Sequence, residues 1–353
     1  MFRGHAFALL LCCIFPLVRS MSCLDESGQP VDYWFIMKIH GSLDYAYVDD
    51  SYAGTGPLVL TGKSLDCGAS CALGATLTQL LNNESVARVS WNDEAPVAAA
   101  PWNATSATSG HTKGVVGADS AGGFWLTHSM PKFPLLVGVD SFSWAAGGAS
   151  ITYGQNFLCV SLTPASIEAA AVGLKFIDPN VYGSVVPAGL SSMYPTLTAL
   201  VAGARTSGAG VQTVYSTPSN HAFTYFSKSG DWGKDIWEDH VQANLKVDMW
   251  VESWLRAPVM PTYCTPTYAF DSVNVETMTF ITSDGNNAPY KYTQDHTKLG
   301  IAVNGTNQQN WLCAGDNNRM TSQWARGGGA VCFRAAATYK SVLSMVLTVQ
   351  ACP

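Results

Sequence analysis

One tripeptide, His-Thr-Lys, occurs twice in this chain of 353 residues. The two copies occupy residues 111–113 and residues 296–298, about half the chain apart. Because the chain has only seven histidines, chance predicts on the order of 0.2 His-x-Lys sequences, before an identical middle residue is required. The repeat therefore indicates two similar halves.

The sequences that follow the two tripeptides are also alike. Trp125-Leu126 follows the first copy and Trp311-Leu312 follows the second at a similar distance, and a polar cluster comes after each pair. This order is typical of a β-hairpin whose second strand brings polar groups beside the first. Side chains at positions i and i+2 of a strand share a face, so we expect His and Lys of each copy to point together.

Two His-Lys pairs suit phosphodiester cleavage without a metal. One neutral imidazole attacks phosphorus while a second, protonated imidazole donates to the departing oxygen. Two lysines offset the charge on the phosphate oxygens. A single pair supplies half of this chemistry, so the sequence predicts one site where the two halves meet.

The chain resembles the type II (acid) deoxyribonucleases of the phospholipase D superfamily. Stretches similar to that family lie at residues 27–32, 91–93, 111–114, 128–129, 152–155, 226–228, 295–298, 315–319 and 326–329. The resemblance implies an α/β (α+β) fold of two similar halves, each a mixed β-sheet with flanking helices, and an active site at their pseudo-two-fold interface. It also implies an endonuclease that cleaves double-stranded DNA without a divalent metal or other cofactor and leaves 3'-phosphate ends.

The resemblance also assigns roles to individual residues. We expect His111 to be the nucleophile that forms a phosphohistidine, His296 to be the acid, and Lys113 and Lys298 to hold the phosphate. Near-symmetry leaves the roles of the two histidines interchangeable. Further substrate contacts are expected from side chains near the ends of the hairpins, which are His128, Ser129, Asn317 and Asn318.

Each of these further contacts has an alternative. His128 is either a phosphate contact or a core histidine, and an Asn-Asn pair also simply forms turns. Asp119, six residues after Lys113, is a candidate for orienting an imidazole, as carboxylates do in other histidine-based sites. The glycine run at residues 327–329 lacks the spacing of a phosphate-binding loop, and we interpret it as close backbone packing.

The first 20 residues have the features of a secretory signal peptide. Arg3 precedes an apolar run over residues 6–18, and Arg19-Ser20 follows it. This run of about 13 residues is shorter than the roughly 20 that span a bilayer, so we expect no membrane anchor.

Removal of the two arginines of the signal peptide, Arg3 and Arg19, changes the formal charge from −6 to −8. An acidic protein binds DNA more readily in an acidic compartment, where histidines gain charge, so we expect a secreted or lysosomal protein.

Eight cysteines remain after the signal peptide. An even number in a secreted chain favours disulfides, although eight cysteines allow 105 pairings. The family resemblance implies the pairs Cys23–Cys159, Cys264–Cys352 and Cys313–Cys332, which leaves Cys67 to pair with Cys71. Three Asn-x-Ser/Thr sites agree with secretory passage and predict a glycoprotein, at Asn83, Asn103 and Asn304.

The predicted organisation has three parts. A signal peptide over residues 1–20 precedes a phospholipase D-like half with the first motif, residues 21–195, and a second half with the second motif, residues 196–353. In the first half, alternation and turn residues predict strands at 31–39, 86–91, 113–116, 123–128 and 157–162 and helices at 73–81 and from 163. In the second, they predict strands at 214–217, 223–227, 245–254, 273–281, 298–303 and 310–313 and helices at 231–243 and 334–349.

Two other functions stay open at this point. A nuclease-like binding or effector protein could keep the fold without turnover, and an intact His-Lys quartet argues against it. The same chemistry could act on RNA or a phospholipid, which the motifs do not exclude. The resemblance also leaves a homodimer open.

Overall fold

The computed structural model describes residues 20–96, 108–141, 149–217, 219–256, 259–304 and 310–353. The signal peptide, Asn103 and the side chain of Asn304 lie outside the described residues. The strands before residue 190 are β1 (Cys23–Leu24), β2 (Pro30–Val31), β3 (Tyr33–Lys38), β4 (Asp44–Asp49), β5 (Leu60–Ser64), β6 (Ala87–Asn92), β7 (Lys113–Ala118), β8 (Gly123–His128), β9 (Gln155–Leu162) and β10 (Val181–Val185).

The strands after residue 200 form a second group. They are β11 (Ala209–Tyr215), β12 (Ala222–Lys228), β13 (Asp248–Glu252), β14 (Ser272–Ile281), β15 (Asn287–Lys291), β16 (Leu299–Asn304), β17 (Trp311–Gly315), β18 (Gly328–Arg334) and β19 (Val346–Val349). The helices are α1 (Ala72–Thr78), α2 (Ala149–Thr152), α3 (Pro164–Leu174), α4 (Ala188–Ser191), α5 (Pro195–Val201), α6 (Ala243–Leu245) and α7 (Ala336–Met345).

Two large sheets share the order of their five central strands, because β6-β7-β8-β9-β3 of the first corresponds to β13-β16-β17-β18-β12 of the second. Within the described chain, the first sheet runs β10-β6-β7-β8-β9-β3-β4-β5. Reversed, the second runs β15-β14-β13-β16-β17-β18-β12-β11, with β19 also paired to β14. The predicted hairpins are β7 with β8 and β16 with β17, both antiparallel, and they occupy corresponding places in the two sheets. The α+β fold class with two sheet-rich halves is confirmed.

Buried aromatic side chains join the two sheets. The rings of Trp125 on β8 and Tyr225 on β12 lie 4.6 Å apart in an edge-to-face arrangement. Tyr33 on β3 contacts Phe223 and Phe333, at 5.7 and 5.3 Å between ring centroids. These residues belong to one apolar core that contains side chains from both sheets. Burying a large apolar side chain contributes about 1.5–3 kcal/mol, so the contact between the halves is a main source of stability.

Helix α3 begins as its sequence predicts. Pro164 occupies the first turn, and the Oγ1 of Thr163 accepts a hydrogen bond of 3.1 Å from the Ser166 N–H. Proline at this place costs no hydrogen bond, and the threonine satisfies one of the free N–H groups at the helix start. The helix packs against β11 and β12 of the second sheet, where Gly173 leaves room for the ring of Tyr225. It therefore links the two halves.

Four disulfides occur in the described part of the chain. They join Cys23 to Cys159, Cys67 to Cys71, Cys264 to Cys352 and Cys313 to Cys332, which are the pairs that the family resemblance implies. Cys313 and Cys332 lie directly opposite each other on β17 and β18. Among the described residues, no helix is both long and apolar enough to cross a membrane.

Several predicted elements differ from the structure. The helix predicted over residues 334–349 ends at Met345, and Val346–Val349 forms β19 on the edge of β14. The predicted helix 231–243 consists of a 3-10 turn at Gly230–Trp232 and a π-helical turn at Trp237–Gln242. The strand predicted at 214–217 begins earlier, at Ala209.

The remaining differences are omissions. The strands β1, β4, β5, β10, β15 and β18 and the short helices α2, α4 and α5 were not predicted. The proposed boundary between residues 195 and 196 falls among the short helices α4 and α5, and it stays a prediction.

Candidate active site

Both His-Thr-Lys tripeptides lie at the start of a central strand. Lys113 is the first residue of β7, and Lys298 directly precedes β16. The two histidines therefore lie just before the strands, and the prediction that strand alternation aligns each His with its Lys is wrong for the histidines. Their direction is set by contacts with the opposite half of the molecule.

The first motif is held by residues of the second half. The His111 N–H donates to the Gly327 carbonyl oxygen at 2.8 Å. The His111 Nδ1 lies 2.7 Å from the Asp316 carbonyl oxygen, which only accepts hydrogen bonds. The neutral ring therefore carries its hydrogen on Nδ1 and leaves Nε2 with a free lone pair.

Asp93 is the centre of the charges around the first motif. Its carboxylate accepts one short hydrogen bond from the Lys113 Nζ, lies 3.3 Å from a guanidinium nitrogen of Arg326, and lies 4.0 Å from the His111 Nε2. Burial by itself would raise the pKa of Asp93, but the charges of Lys113, His111 and Arg326 hold it well below its usual range. Asp93 thus remains an anion between cations of both halves.

The second motif is held by the first half in the same way. The His296 N–H donates to the Gly154 carbonyl oxygen at 2.9 Å, and the Gly154 N–H donates to the Gln294 carbonyl oxygen at 2.8 Å. The His296 ring packs against Trp254 and Tyr153, at 3.9 and 4.2 Å between centroids. Its buried Nε2 has no hydrogen-bond partner among the described residues. That nitrogen is therefore uncommitted.

The four motif side chains interact across the interface. Burial lowers the pKa of His111 to about 3, and Lys113, Lys298 and Arg326 add to this while Asp93 opposes it. Burial lowers the pKa of His296 to about 2, with further lowering by Lys298, Lys113 and His111. Both imidazoles are neutral when the site is empty.

Lys298 shares this environment. Burial lowers its pKa to about 8, and the charge of Lys113 lowers it further, against the carboxylates of Glu252, Asp93 and Asp295. Its Nζ donates a short hydrogen bond to the His296 carbonyl oxygen. The ammonium therefore lies close to the histidine of its own motif and stays protonated at neutral and acidic pH.

His128 and Ser129 differ in their surroundings. The His128 ring is buried and stacks on Phe133 at 4.1 Å between centroids. Burial, followed by the charge of Lys113, lowers its pKa well below the usual value. The Ser129 Oγ donates to the Gln155 Oε1 at 2.6 Å. Both ring nitrogens of His128 are buried without a hydrogen-bond partner among the described residues, and a phosphate contact by His128 stays a prediction. The hydrogen bond of Ser129 ties it to the loop that holds His296.

Asn317 and Asn318 lie in the turn after β17. The Asn317 Nδ2 donates to the Gln323 Oε1 at 3.2 Å, and its carbonyl oxygen accepts from the Trp237 Nε1 at 2.9 Å. A Cβ on Gly328 would lie 1.9 Å from the Asn317 Oδ1, which explains a glycine there. The side-chain oxygens of both asparagines are buried and have no partner among the described residues. A substrate contact by either residue stays a prediction.

Four site residues were missing from the sequence-based list. Asp93 and Tyr153 do lie in stretches that carry the family resemblance, as does Arg326, but Trp254 does not. The prediction that Asp119 orients an imidazole is wrong. Its carboxylate accepts hydrogen bonds from the N–H groups of Met21, Ala121 and Gly122, so it closes the turn between β7 and β8.

One group among the described residues has ligand atoms close enough together for a metal. Cys264, Asp271 and Cys352 offer atoms within 4.8 Å of one another. The two cysteines are joined in a disulfide, so neither offers a thiolate.

Asn83, the predicted glycosylation site whose side chain the structure describes, is partly exposed.

Comparison with known proteins agrees with this geometry. A family model described as Deoxyribonuclease II matches residues 22–352. The chain is 30% identical to Deoxyribonuclease-2 of Caenorhabditis elegans, over 94% of each chain. It is 29% identical to Deoxyribonuclease-2-alpha of Rattus norvegicus over 98% of each chain, and 27% identical to Plancitoxin-1 of Acanthaster planci over 100% of this chain and 98% of the relative. The chain therefore belongs to the deoxyribonuclease II family of hydrolases.

Proposed function

We propose that this protein is an acid endonuclease that hydrolyses DNA phosphodiester bonds without a divalent metal. The reaction passes through a phosphohistidine and leaves 3'-phosphate ends. The observation that carries the proposal is the reciprocal docking of the two motifs. Each histidine N–H binds a glycine carbonyl of the opposite half, and His111 contributes to the lowered pKa of His296.

His111 has the tautomer that a nucleophile needs. Its Nδ1–H is held by the Asp316 carbonyl, so the lone pair on Nε2 attacks phosphorus while the bond from phosphorus to the 5'-oxygen breaks. His296, protonated, gives its Nε2 proton to that oxygen. Water then attacks the phosphohistidine as neutral His296 takes its proton, and the P–N bond breaks. The phosphate stays on the 3'-oxygen.

The low pKa values of the two histidines fit an anionic substrate. The empty site places Lys113, Lys298 and Arg326 around rings that burial already keeps neutral. A phosphodiester brings the negative charge that offsets these cations, which raises the pKa of both rings. His296 gains its proton when substrate is bound, and an acidic medium favours that step. This gives an acidic maximum of the rate.

The same reasoning supports an acidic place of action. Four disulfides suit an oxidising pathway, and an acidic protein repels DNA less at low pH. We therefore propose a secreted or lysosomal glycoprotein. Mass analysis of the protein from a secreting cell, before and after removal of N-glycans, tests this part.

A plasmid-nicking assay at pH 5 in excess EDTA tests the mechanism. We expect the rate to stay within about tenfold of the rate without EDTA, because lysines replace a metal as the charge partner of the phosphate. Lys113→Ala and Lys298→Ala serve as negative controls, and end-labelling of the products checks for 3'-phosphate. A larger loss in EDTA, restored by added Mg²⁺, would contradict the metal-free route. Retention of DNA binding without nicking would favour the silent binding protein.

A further inference from the structure

Two buried lysines outside the motifs occupy equivalent places in the two sheets. Lys38 is the last residue of β3 and pairs with Gln155 on β9. Lys228 is the last residue of β12 and pairs with Gly328 on β18. Gln155 directly follows Gly154, and Gly328 directly follows Gly327. Each lysine therefore lies beside the glycine that receives the histidine N–H from the opposite half.

Backbone carbonyl groups surround the Lys38 ammonium. Its Nζ donates to the carbonyl oxygens of Ile39 and Ser42, both at 2.7 Å, and to that of Ile151 at 3.3 Å. The Ile151 carbonyl belongs to the segment that leads directly into Gly154. Lys38 therefore ties this segment to the end of β3.

Lys228 makes the matching contacts in the second half. Its Nζ donates to the carbonyl oxygens of Gln323, Trp324 and Arg326, at 3.1, 3.0 and 2.5 Å. The Arg326 carbonyl is part of the peptide bond to Gly327, whose own carbonyl binds the His111 N–H. Lys228 therefore acts on the peptide next to the docking contact of the first motif.

The cost of burying these charges indicates a purpose. Both side chains are 1% exposed, and neither forms an ion pair with a carboxylate in the described part of the chain. An ammonium has three hydrogen-bond donors, and all three are used on backbone carbonyl groups, of one loop for Lys228 and of two neighbouring segments for Lys38. Burial lowers the pKa of each lysine to about 8, so both remain charged in acid. A methionine of similar length would avoid the desolvation cost, so packing alone does not require lysine.

We propose that Lys38 and Lys228 are positioning residues, each of which aligns the catalytic histidine of the opposite half. Lys228 fixes the loop that holds His111, and Lys38 fixes the loop that holds His296. Neither touches the reacting phosphate. The inference rests on the proposed roles of the two histidines, and it predicts that each lysine controls a different chemical step.

The test compares Lys38→Met and Lys228→Met on two substrates at pH 5, plasmid DNA and a nitrophenyl phosphodiester. Misplacing a catalytic group by about 1 Å can reduce a rate about 100-fold, so we expect kcat on DNA to fall about 10- to 100-fold in both variants, with little change in KM. The nitrophenyl leaving group needs no proton. Lys38→Met should therefore keep the rapid first release of nitrophenol that we expect of His296→Ala, whereas Lys228→Met should lose it, as we expect of His111→Ala.

Arg88→Met is the matched control. Arg88 is also buried and its guanidinium donates to the carbonyl oxygens of Leu80 and Asn83, but among the described residues that loop makes no hydrogen bond to either motif. We expect this variant to lose thermal stability while its kcat on both substrates stays within about threefold of the parent value. Lys38→Gln and Lys228→Gln keep two N–H donors, and they replace the methionine variants if those fail to fold.

The outcomes separate this inference from the proposed function. Folded lysine variants that cleave both substrates at the parent rate would overturn the inference, as would equal losses on both substrates in both lysine variants. If the histidine variants themselves keep DNA cleavage, the proposed function fails instead. A third outcome is that His111→Ala and Lys228→Met behave as expected for His296→Ala and Lys38→Met, and the reverse. Each lysine would then still act on the histidine assigned to it, and the roles of the two histidines would be reversed.

Discussion

The two motif regions have the same backbone and different neighbours. Each histidine N–H reaches a glycine carbonyl of the opposite half, and the residue before that glycine is Arg326 for His111 and Tyr153 for His296. The paired strands place Asn92 opposite Lys113 and Glu252 opposite Leu299. Continued along the chain, this register puts Trp254 at the place in the second half that Asp93 holds in the first.

Where the first motif has the charged neighbours Asp93 and Arg326, the second has the aromatic neighbours Trp254 and Tyr153. His111 lies beside an anion and two cations, and the anion works against the lowering of its pKa. His296 lies against two rings, and the charges that affect its pKa are all cations. A shared backbone thus supports two electrostatically different imidazoles. The carboxylate beside His111 favours the protonated form of that ring and the cations beside His296 favour the neutral form, so the two motifs are not electrostatically equivalent copies.

The largest expected effect comes from removing either imidazole. His111→Ala and His296→Ala should each reduce DNA cleavage at pH 5 by at least about 1,000-fold, because each step of the reaction needs both rings. On a nitrophenyl phosphodiester, whose leaving group needs no proton, His296→Ala should still release nitrophenol in a single burst and then stall at the phosphohistidine, because the base that activates water is missing. Alkaline quenching should trap phosphohistidine in the parent and in His296→Ala, but not in His111→Ala.

Two results would change this picture in different ways. Cleavage of DNA within tenfold of the parent by both variants would contradict the paired-motif mechanism. A burst of nitrophenol from His111→Ala and none from His296→Ala would reverse the roles of the histidines and leave the mechanism intact.

A smaller effect is expected when the neighbours of the rings are changed. Asp93→Asn leaves Lys113 and Arg326 without their buried anion, and breaking a buried ion pair costs about 3–5 kcal/mol. We expect a lower melting temperature and a loss of DNA cleavage of about 10- to 100-fold. Trp254→Phe, at the matching place, keeps an aromatic contact and should change the rate less than about fivefold.

Thermal denaturation and initial rates measured side by side check this pair. Equal losses in both variants would show that the difference between charged and aromatic surroundings has no catalytic meaning. A stable and fully active Asp93→Asn variant would show that Asp93 is not needed to balance the two cations.

Much of the fold could be predicted because local patterns determine it. The predicted strand at 123–128 is β8, and the Thr163-Pro164 pair begins α3. The C-terminal helix was predicted too long because Val346 and Val349 continue the apolar spacing of Tyr339 and Val342, while pairing with β14 makes Val346–Val349 a strand. Edge and glycine-rich strands such as β18 gain their stability from neighbours that no local window contains.

The sequence predicts the two His-Lys pairs of the active site but not the residues that surround them. The His-Lys pairs are visible because they repeat. Asp93 lies about 20 residues before Lys113, and Arg326 lies more than 200 residues after it, so their meeting depends on how the two sheets dock. Asp119, chosen for its closeness in sequence, lies at the other end of the β7–β8 hairpin. Closeness in the chain was a poor guide because β7 carries the residues after the motif away from the site.

The smallest effect concerns how an anion in the site changes the protonation of the two histidines and, through it, the stability of the fold. Both have a pKa in the folded, empty protein far below the value of about 6.5 expected after unfolding. Their contribution to stability is therefore complete above about pH 6.5 and declines as the pH falls below it, by about 2 kcal/mol for each histidine at pH 5.

An anion in the site should reverse this loss, because it raises both pKa values and lets the folded protein take up the protons. Sulfate, a tetrahedral anion whose charge is constant between pH 5 and pH 7, is the suitable probe. We expect it to raise the melting temperature by a few degrees more at pH 5 than at pH 7, relative to sodium chloride of equal ionic strength. His111→Gln and His296→Gln should each remove part of that difference. The difference between pH 5 and pH 7 that remains should be smaller in His296→Gln than in His111→Gln. In His296→Gln the remaining ring is His111, which has the Asp93 carboxylate beside it and so depends less on an added anion for its proton. A sulfate effect that is the same at both pH values would mean that the two imidazoles do not gain protons when the site is filled.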